Sequence, residues 1–473
     1  MSNSRPFEFD DLQALLRLGH GRLPETRFLL LEVADAGAAA NWMASAPITS
    51  AAKILTGPGK GVSTEPALQI AFSAAGLLAM GVGKSVVEGF SRQFVEGMAG
   101  NEKSAIRLGD VGASAPEHWE WGAMEHPAPH VLLLLYARRE DMDAWRGRVE
   151  DDLFHRAFRV LRCLPTGTME RHEPFGVAEE VSQPAIDWEG GRKKVPSTAG
   201  GGRHLLAPGE LVLGYPNEFG GYSHRPLIDP AEDPLAAVLP PAEDRPALRD
   251  FGRNGAYLVI RQLQQDVPGY WNFIGREADE RAEARREMAE SAAATGYDQA
   301  SLRSAPLPPG KKTFLSRLLK MLGFPNHREE ESLMAAARFH RLLRRGRTYD
   351  AAPMTGRTAR EGSPAGERGL QFICLVAEIG RQFEFAQNAW AMGYNFDGMM
   401  RRRNPPLGIG TSLLSGEPTG EFLHPEKRGA ARQICGLPQF ITVRGGGYFF
   451  LPGLRALEYI AAASATMGER GKP

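Results

Sequence analysis

Asn254-Gly255-Ala256-Tyr257-Leu258-Val259-Ile260-Arg261 opens on a turn signal and runs directly into a strand. Asn and Gly accept the backbone angles of a tight turn, and the apolar run behind them is of buried-strand type. By alternation Arg261 shares a face with Tyr257 and Val259. An arginine at the end of such a strand is either capped by a carboxylate or points into a cavity that holds an anion or polar ligand. Asp266 follows in the position of a helix cap, with Pro268 in the first turn.

Working outward, residues 28–34 (Phe28-Leu29-Leu30-Leu31-Glu32-Val33-Ala34), 129–137 and 371–377 are further buried-type strands. Between the first two, Glu65 to Met80 reads as a buried helix and Phe90 to Met98 as a second one. A helix is expected from about Ile379 to Met392. Phe440 to Pro452 reads as a strand, a break at Gly445-Gly446-Gly447, and a second strand. Residues 187–204 and 350–368 read as loops, and the proline-rich, acidic stretch 228–250 as a connector. Residues 275–295 carry alternating charge and suit a solvated helix. Residues 311–323 suit an amphipathic helix, either packed on its own domain, the commoner case, or lying on a membrane surface. Strands mixed with helices in this way indicate an α+β fold.

The 473 residues suffice for two or three packed domains. Lysine plus arginine equals aspartate plus glutamate, 56 each, so no global field draws nucleic acid or an anionic membrane. The run Arg338 to Arg347 is locally basic but lacks interleaved stacking aromatics, so no nucleic-acid partner is expected. No apolar run approaches the length of a membrane span, so no membrane partner is expected either. The N-terminus lacks an apolar leader, and Cys163, Cys374 and Cys435 are scattered. These features predict a cytoplasmic protein. Thr56-Gly-Pro-Gly-Lys-Gly61 lacks the spacing of a phosphate loop, and no hydrolase signature is present.

The segment Ala336-Ala337-Arg338-Phe339-His340-Arg341-Leu342-Leu343-Arg344-Arg345-Gly346 reads as a helix that ends near Gly346. Leu333, Ala336, Ala337, His340 and Leu343 fall on one face of it. Two readings of His340 follow. It is a core histidine satisfied by a backbone carbonyl, or it is an axial haem ligand whose neighbouring alanines leave room for a flat macrocycle.

Several of these segments, in order, resemble the dye-decolourising (DyP-type) haem peroxidases. Phe175-Gly176 through Pro184 is similar to that family's F-G-F-x-D-G-x-S-Q-P signature. Asn254 to Arg261 is similar to its N-G-[S/T]-Y-L-V-x-R strand, and Ala337 to Gly346 to its proximal histidine segment. Arg368 to Phe383, Gly209 to Phe219 and Arg444 to Pro452 also match. The resemblance covers roughly 165–455 well and is thinner over the first 150 residues.

The resemblance implies two ferredoxin-like α+β halves, over 1–172 and 251–473, joined by a motif-bearing segment and connector, 173–250. It implies haem b with His340 as the iron ligand, and Glu378 accepting the other N–H of that ring. Arg344 and Arg261 would help hold the cofactor. Glu179 and Arg261 would serve hydrogen peroxide, which an unknown reducing substrate then follows. The oligomeric state is left open.

One departure stands out. The family's D-G reads Glu179-Glu180 here. The extra methylene moves the carboxyl by up to about 1.5 Å, and losing the glycine restricts the turn. A displacement of that size predicts weakened peroxide chemistry. The alternative is a non-enzymatic haem-binding protein, a sensor, carrier or store on the same fold.

Overall fold

A computed structural model describes residues 7–54, 63–164, 166–167, 183–190, 205–273, 275, 339–349, 367–388, 422–424, 432–434 and 438–470. The chain divides into two units. One comprises Met1–Gln265, His340–Pro353 and Ala365–Pro473; the other comprises Asp266–Phe339 and Met354–Pro364.

The larger unit is built on one antiparallel sheet. Its first four strands are β1 (Glu25–Val33), β2 (Ala67–Phe72), β3 (Val131–Ala137) and β4 (Phe158–Leu164). The rest are β5 (Ala256–Gln265), β6 (Leu343–Arg344), β7 (Arg347–Tyr349), β8 (Gly369–Val376) and β9 (Ile441–Leu451). Their order is β6-β8-β5-β9-β2-β3-β1-β4, with β7 also paired to β8. Within β2-β3-β1-β4 the strands lie second, third, first, fourth in chain order. The set β6-β8-β5-β9 repeats that order. This is the ferredoxin-like arrangement, twice over. The halves join where Phe450 of β9 pairs with Phe72 of β2.

Both faces of the sheet are covered, which is why the strands read as unbroken apolar runs. Leu29, Leu31, Leu133 and Leu135 enter one core. Phe28, Leu30, Leu132, Leu134 and Tyr136 enter the other. Helix α1 (Ala36–Ser45) starts at Asp35, whose side chain accepts from Ala38 N. Trp42 of α1 is buried and donates to Val149 O at 3.0 Å. In the smaller unit Asp266 caps as expected, accepting from Gly269 N at 2.9 Å.

Three expectations are corrected. Glu65 to Met80 is not one helix: it is β2, followed by α2 (Ala74–Ala79) with Ser73 as its cap. A buried apolar run fits either element, and pairing with β3 on one side and β9 on the other decides it. Gln69 in that run is fully buried; its amide donates to Thr49 O and accepts from Leu15 N.

The glycines at 445–447 do not break the last strand. β9 runs through them with a register shift between Val443 and Gly445. They are small because of what packs on them: a Cβ at Gly445 would lie 2.4 Å from Trp121 Nε1, and one at Gly446 would lie 2.6 Å from Met98 Sδ.

The helix expected to run to Gly346 does not: residues 339–340 form a turn and Leu343-Arg344 is β6, while 336–338 lie outside the described residues. Pairing of Leu343 with Leu375 and Arg344 with Cys374 outweighs local helix propensity. Leu343 therefore does not share a helix face with His340.

Candidate functional site

Arg261 lies in the centre of the sheet, level with Phe372 of β8 and Gly446 of β9. Of the two fates open to it, the structure gives the carboxylate. Arg261 Nη2 is ion-paired with Asp110 Oδ1, and both side chains are buried. Asp110 is set by helix α3 (Glu102–Leu108), which ends at Gly109 with φ 72°. Burial pushes the Asp110 carboxyl above its ordinary range, and the Arg261 charge opposes that shift. Arg261 Nε, Arg261 Nη1 and Asp110 Oδ2 have no hydrogen-bond partner. The pair therefore retains unused donors and an unused acceptor. Nothing in the sequence pointed to Asp110; only the third dimension brings it to Arg261.

A second polar cluster sits nearby. Helix α4 (Ile379–Glu384), of π type, follows β8. Its Glu384 accepts from Tyr448 Oη at 3.1 Å and from Arg107 Nη2 at 3.0 Å. Burial and the adjacent Glu384 carboxylate hold the Tyr448 phenol well above its ordinary value, and Arg261 partly opposes them. Arg107 and Asp110 belong to the first half, and Tyr448 and Arg261 to the second.

His340 is half-buried. Its ring stacks on Phe385 with centroids 3.8 Å apart and planes 15° from parallel. Nδ1 lies 2.5 Å from the carbonyl oxygen of Arg381, so the acceptor expected at the Glu378 carboxylate is instead a backbone carbonyl three residues on. A carbonyl only accepts, so Nδ1 carries the proton, and the neutral ring has its lone pair on Nε2.

The scaffold behind this contact is Gln382, which is fully buried. Its amide nitrogen donates to Arg341 O and Glu210 O, each at 2.8 Å. Its amide oxygen accepts from Ala377 N and Glu378 N. One side chain thus ties the segment after His340 to the end of β8. Sequence reading passed over it, since a lone glutamine carries no motif. Glu378 is raised by burial, with His224 and Arg381 opposing and Glu384 adding to the shift.

Arg344 is half-buried on β6, and its backbone N–H donates to Gln183 Oε1 at 3.0 Å. Four residues on, Thr348 O accepts from Gly167 N at 2.7 Å. The two ends of the segment from 167 to 183 are therefore anchored on β6 and β7. Glu179 and Glu180 lie outside the described residues.

No family model matches this chain. It is 24% identical over 493 residues to a dye-decolorizing peroxidase of Exidia glandulosa, covering 95% of this chain and 86% of that protein. The solved dye-decolorizing peroxidase of Auricularia auricula-judae superposes with a TM-score of 0.63 at 19% identity, covering 96% of this chain and all of that one. Another solved structure, of a dye-decolorizing peroxidase with an engineered heme pocket, gives the same TM-score, 0.63, at 19% identity over 96% of this chain and 100% of that one. This chain is a relative of the dye-decolourising peroxidases, and its α+β fold is theirs.

Proposed function

We propose that this protein is a haem-dependent peroxidase of the dye-decolourising type. It reduces hydrogen peroxide and oxidises an organic electron donor, with haem b as its cofactor. The likeness to such peroxidases over nearly the whole chain carries this reading. We place it in the cytoplasm, on its scattered cysteines.

The residues around His340 fit it as the side chain that would hold the haem iron. A metal-binding imidazole ordinarily donates its other N–H to a carbonyl or carboxylate, and Arg381 O is such an acceptor. That contact fixes the tautomer and restrains the ring. Gln382 holds the same acceptor segment in place. When bound, haem supplies an iron centre that peroxide oxidises and organic donors reduce again.

Glu179, as a carboxylate, would take a proton from one peroxide oxygen and return it to the other. Arg261 would offset negative charge as the O–O bond breaks, and its unused Nε and Nη1 are the donors available for that. Arg344 would add positive charge to the cofactor's surroundings.

The second reading is a haem-binding protein without peroxidase turnover. The Arg261–Asp110 ion pair favours it, because a guanidinium already neutralised by a buried carboxylate attracts developing charge less. Reconstitution with haemin followed by rapid mixing with hydrogen peroxide separates the two. A Soret band that shifts within milliseconds supports the peroxidase. A Soret band that ignores peroxide supports the binder. No Soret band at all sinks both.

A further inference from the structure

Glu210 carries a carboxylate with no exposed surface. It ends a single turn of 3-10 helix, Pro208–Glu210. The turn is tight: a Cβ at Gly209 would lie 2.1 Å from Tyr215 O, so no side chain fits there. Glu210 Oε1 accepts from Glu218 N at 3.0 Å, which closes the loop on itself. That contact needs an acceptor and not a charge; an amide oxygen would serve as well. The charge faces another residue. Glu210 Oε2 lies 2.9 Å from Arg381 Nη2, an ion pair by distance without hydrogen-bond alignment. A carboxylate buried this fully is costly to desolvate unless a cation stands beside it.

Glu210 holds the same segment through its backbone. Its carbonyl oxygen accepts from Gln382 Nε2 at 2.8 Å and from Ala377 N at 3.2 Å. One residue therefore grips the chain at both Arg381 and Gln382. The peptide group between those two grips carries the Arg381 carbonyl, which accepts from His340 Nδ1. A peptide group is planar and turns as a unit. Turning this one away from the imidazole would disturb one grip or the other.

We infer that Glu210 is a positioning residue for His340: through Arg381 it aims the carbonyl that keeps the proton on Nδ1 and the lone pair on Nε2, the nitrogen offered to iron. Its part at the iron rests on the haem reading; its hold on the tautomer does not.

The test is nitrogen NMR of the haem-free, full-length protein with isotope-labelled histidine, at mildly alkaline pH, where an imidazole is neutral. The His340 signals are those missing from His340→Ala, and each ring nitrogen's shift reports whether it carries the proton. Wild-type His340 should be protonated on Nδ1. Glu210→Gln keeps an acceptor for Glu218 N and removes the charge beside Arg381. In it the ratio of Nε2–H to Nδ1–H rings should rise about fivefold, the worth of one hydrogen bond. Glu210→Gln combined with Arg381→Gln strands no charge and should show the same rise, so it decides the matter if the single variant fails to fold. Glu218→Ala is the control for loop structure alone. It removes the acceptor of Ala207 N without touching Glu210 or Arg381, and should leave the ratio as in the wild type. After reconstitution with haemin, haem should pass to excess apomyoglobin about fivefold faster from both charge-removing variants than from the wild type.

An unchanged tautomer ratio or unchanged haem loss in both charge-removing variants would overturn the inference. So would an equal tautomer shift in Glu218→Ala, or a wild-type His340 protonated on Nε2. The haem reading fails separately. A wild type that takes up no haem, with the tautomer shift present in the variants, keeps Glu210's hold on the ring and loses the ligand.

Discussion

Arg261 and Asp110 face each other as an ion pair in which each side chain is only 2% exposed. The two residues come from different halves of the sheet unit, 151 positions apart in sequence. Removing one partner strands a buried charge, which costs about 3–5 kcal/mol. Arg261→Leu and Asp110→Leu should each lower stability by that order in urea denaturation. The double variant Arg261→Leu with Asp110→Leu should recover most of the loss, because no charge is left unpaired. Additive losses would show that the pair is not the unit. The folded double variant also isolates chemistry from stability. If Arg261 serves peroxide, its rate with peroxide should fall by about a hundredfold or more, as when a charge-stabilising donor is removed. An unchanged rate would confine Arg261 to joining the halves.

His340→Ala should abolish the five-coordinate histidine spectrum of the haem-loaded protein, or haem uptake altogether. Gln382→Leu should be milder. It removes the link between Arg341 O and the end of β8 without touching the ring. Haem should still load, with a ligand-field band broadened or shifted by the freed ring. Full haem occupancy and an unaltered spectrum in His340→Ala would place the ligand elsewhere in the chain.

The antiparallel α+β fold was legible because its central strands announce themselves. Residues 28–34 and 129–137 are continuous apolar runs, and both are buried strands. Sequence and structure part where the local pattern is ambiguous and tertiary pairing decides. Ala67 to Phe72 is apolar in a way that suits helix or strand. Leu343-Arg344 prefers helix locally but finds a partner in β8. Gly445 to Gly447 looks like a breaker until Trp121 and Met98 are seen filling the space. At the candidate site, Arg261 was legible as an anomaly on an apolar strand. Asp110, Gln382 and Arg381 O were not, since each acts through contacts with residues far away in sequence.

Glu179→Asp combined with Glu180→Gly should raise the second-order rate with peroxide at least about tenfold, which needs only ~1.4 kcal/mol off the barrier. The ends of their segment are anchored at Gly167 and Gln183, so the change alters carboxylate reach without releasing the anchors. Haem affinity should stay the same. The measurement is the stopped-flow peroxide rate across pH in both proteins. Equal rates at every pH would mean that Glu179 already works as the base, or that the site does not turn peroxide over.

His20 gives the protein an acid-sensitive core independent of any cofactor. The residue is 6% exposed, and its ring lies 4.5 Å from that of Tyr136. Arg347 donates to the carbonyls of Gly19 and His20, so a cation sits beside the imidazole. Burial, then the charges of Arg347 and Arg345, push the imidazole from 6.5 down to about 3. The unfolded chain keeps the ordinary value near 6.5. Between those two values the unfolded state holds a proton that the folded state refuses. Stability from this group is therefore complete above pH 6.5 and is lost as pH falls toward 3, at about 1.4 kcal/mol per pH unit. His20→Asn removes the titrating group and suits the backbone, since φ is 51° at this position and asparagine tolerates that region. Unfolding free energies at pH 7.5 and pH 5.5 should then fall by about 1.4 kcal/mol more in the wild type than in the variant. Comparing the two proteins cancels the carboxylates that titrate alongside. Parallel pH profiles would mean that His20 becomes protonated in place, with its ring still folded against Tyr136.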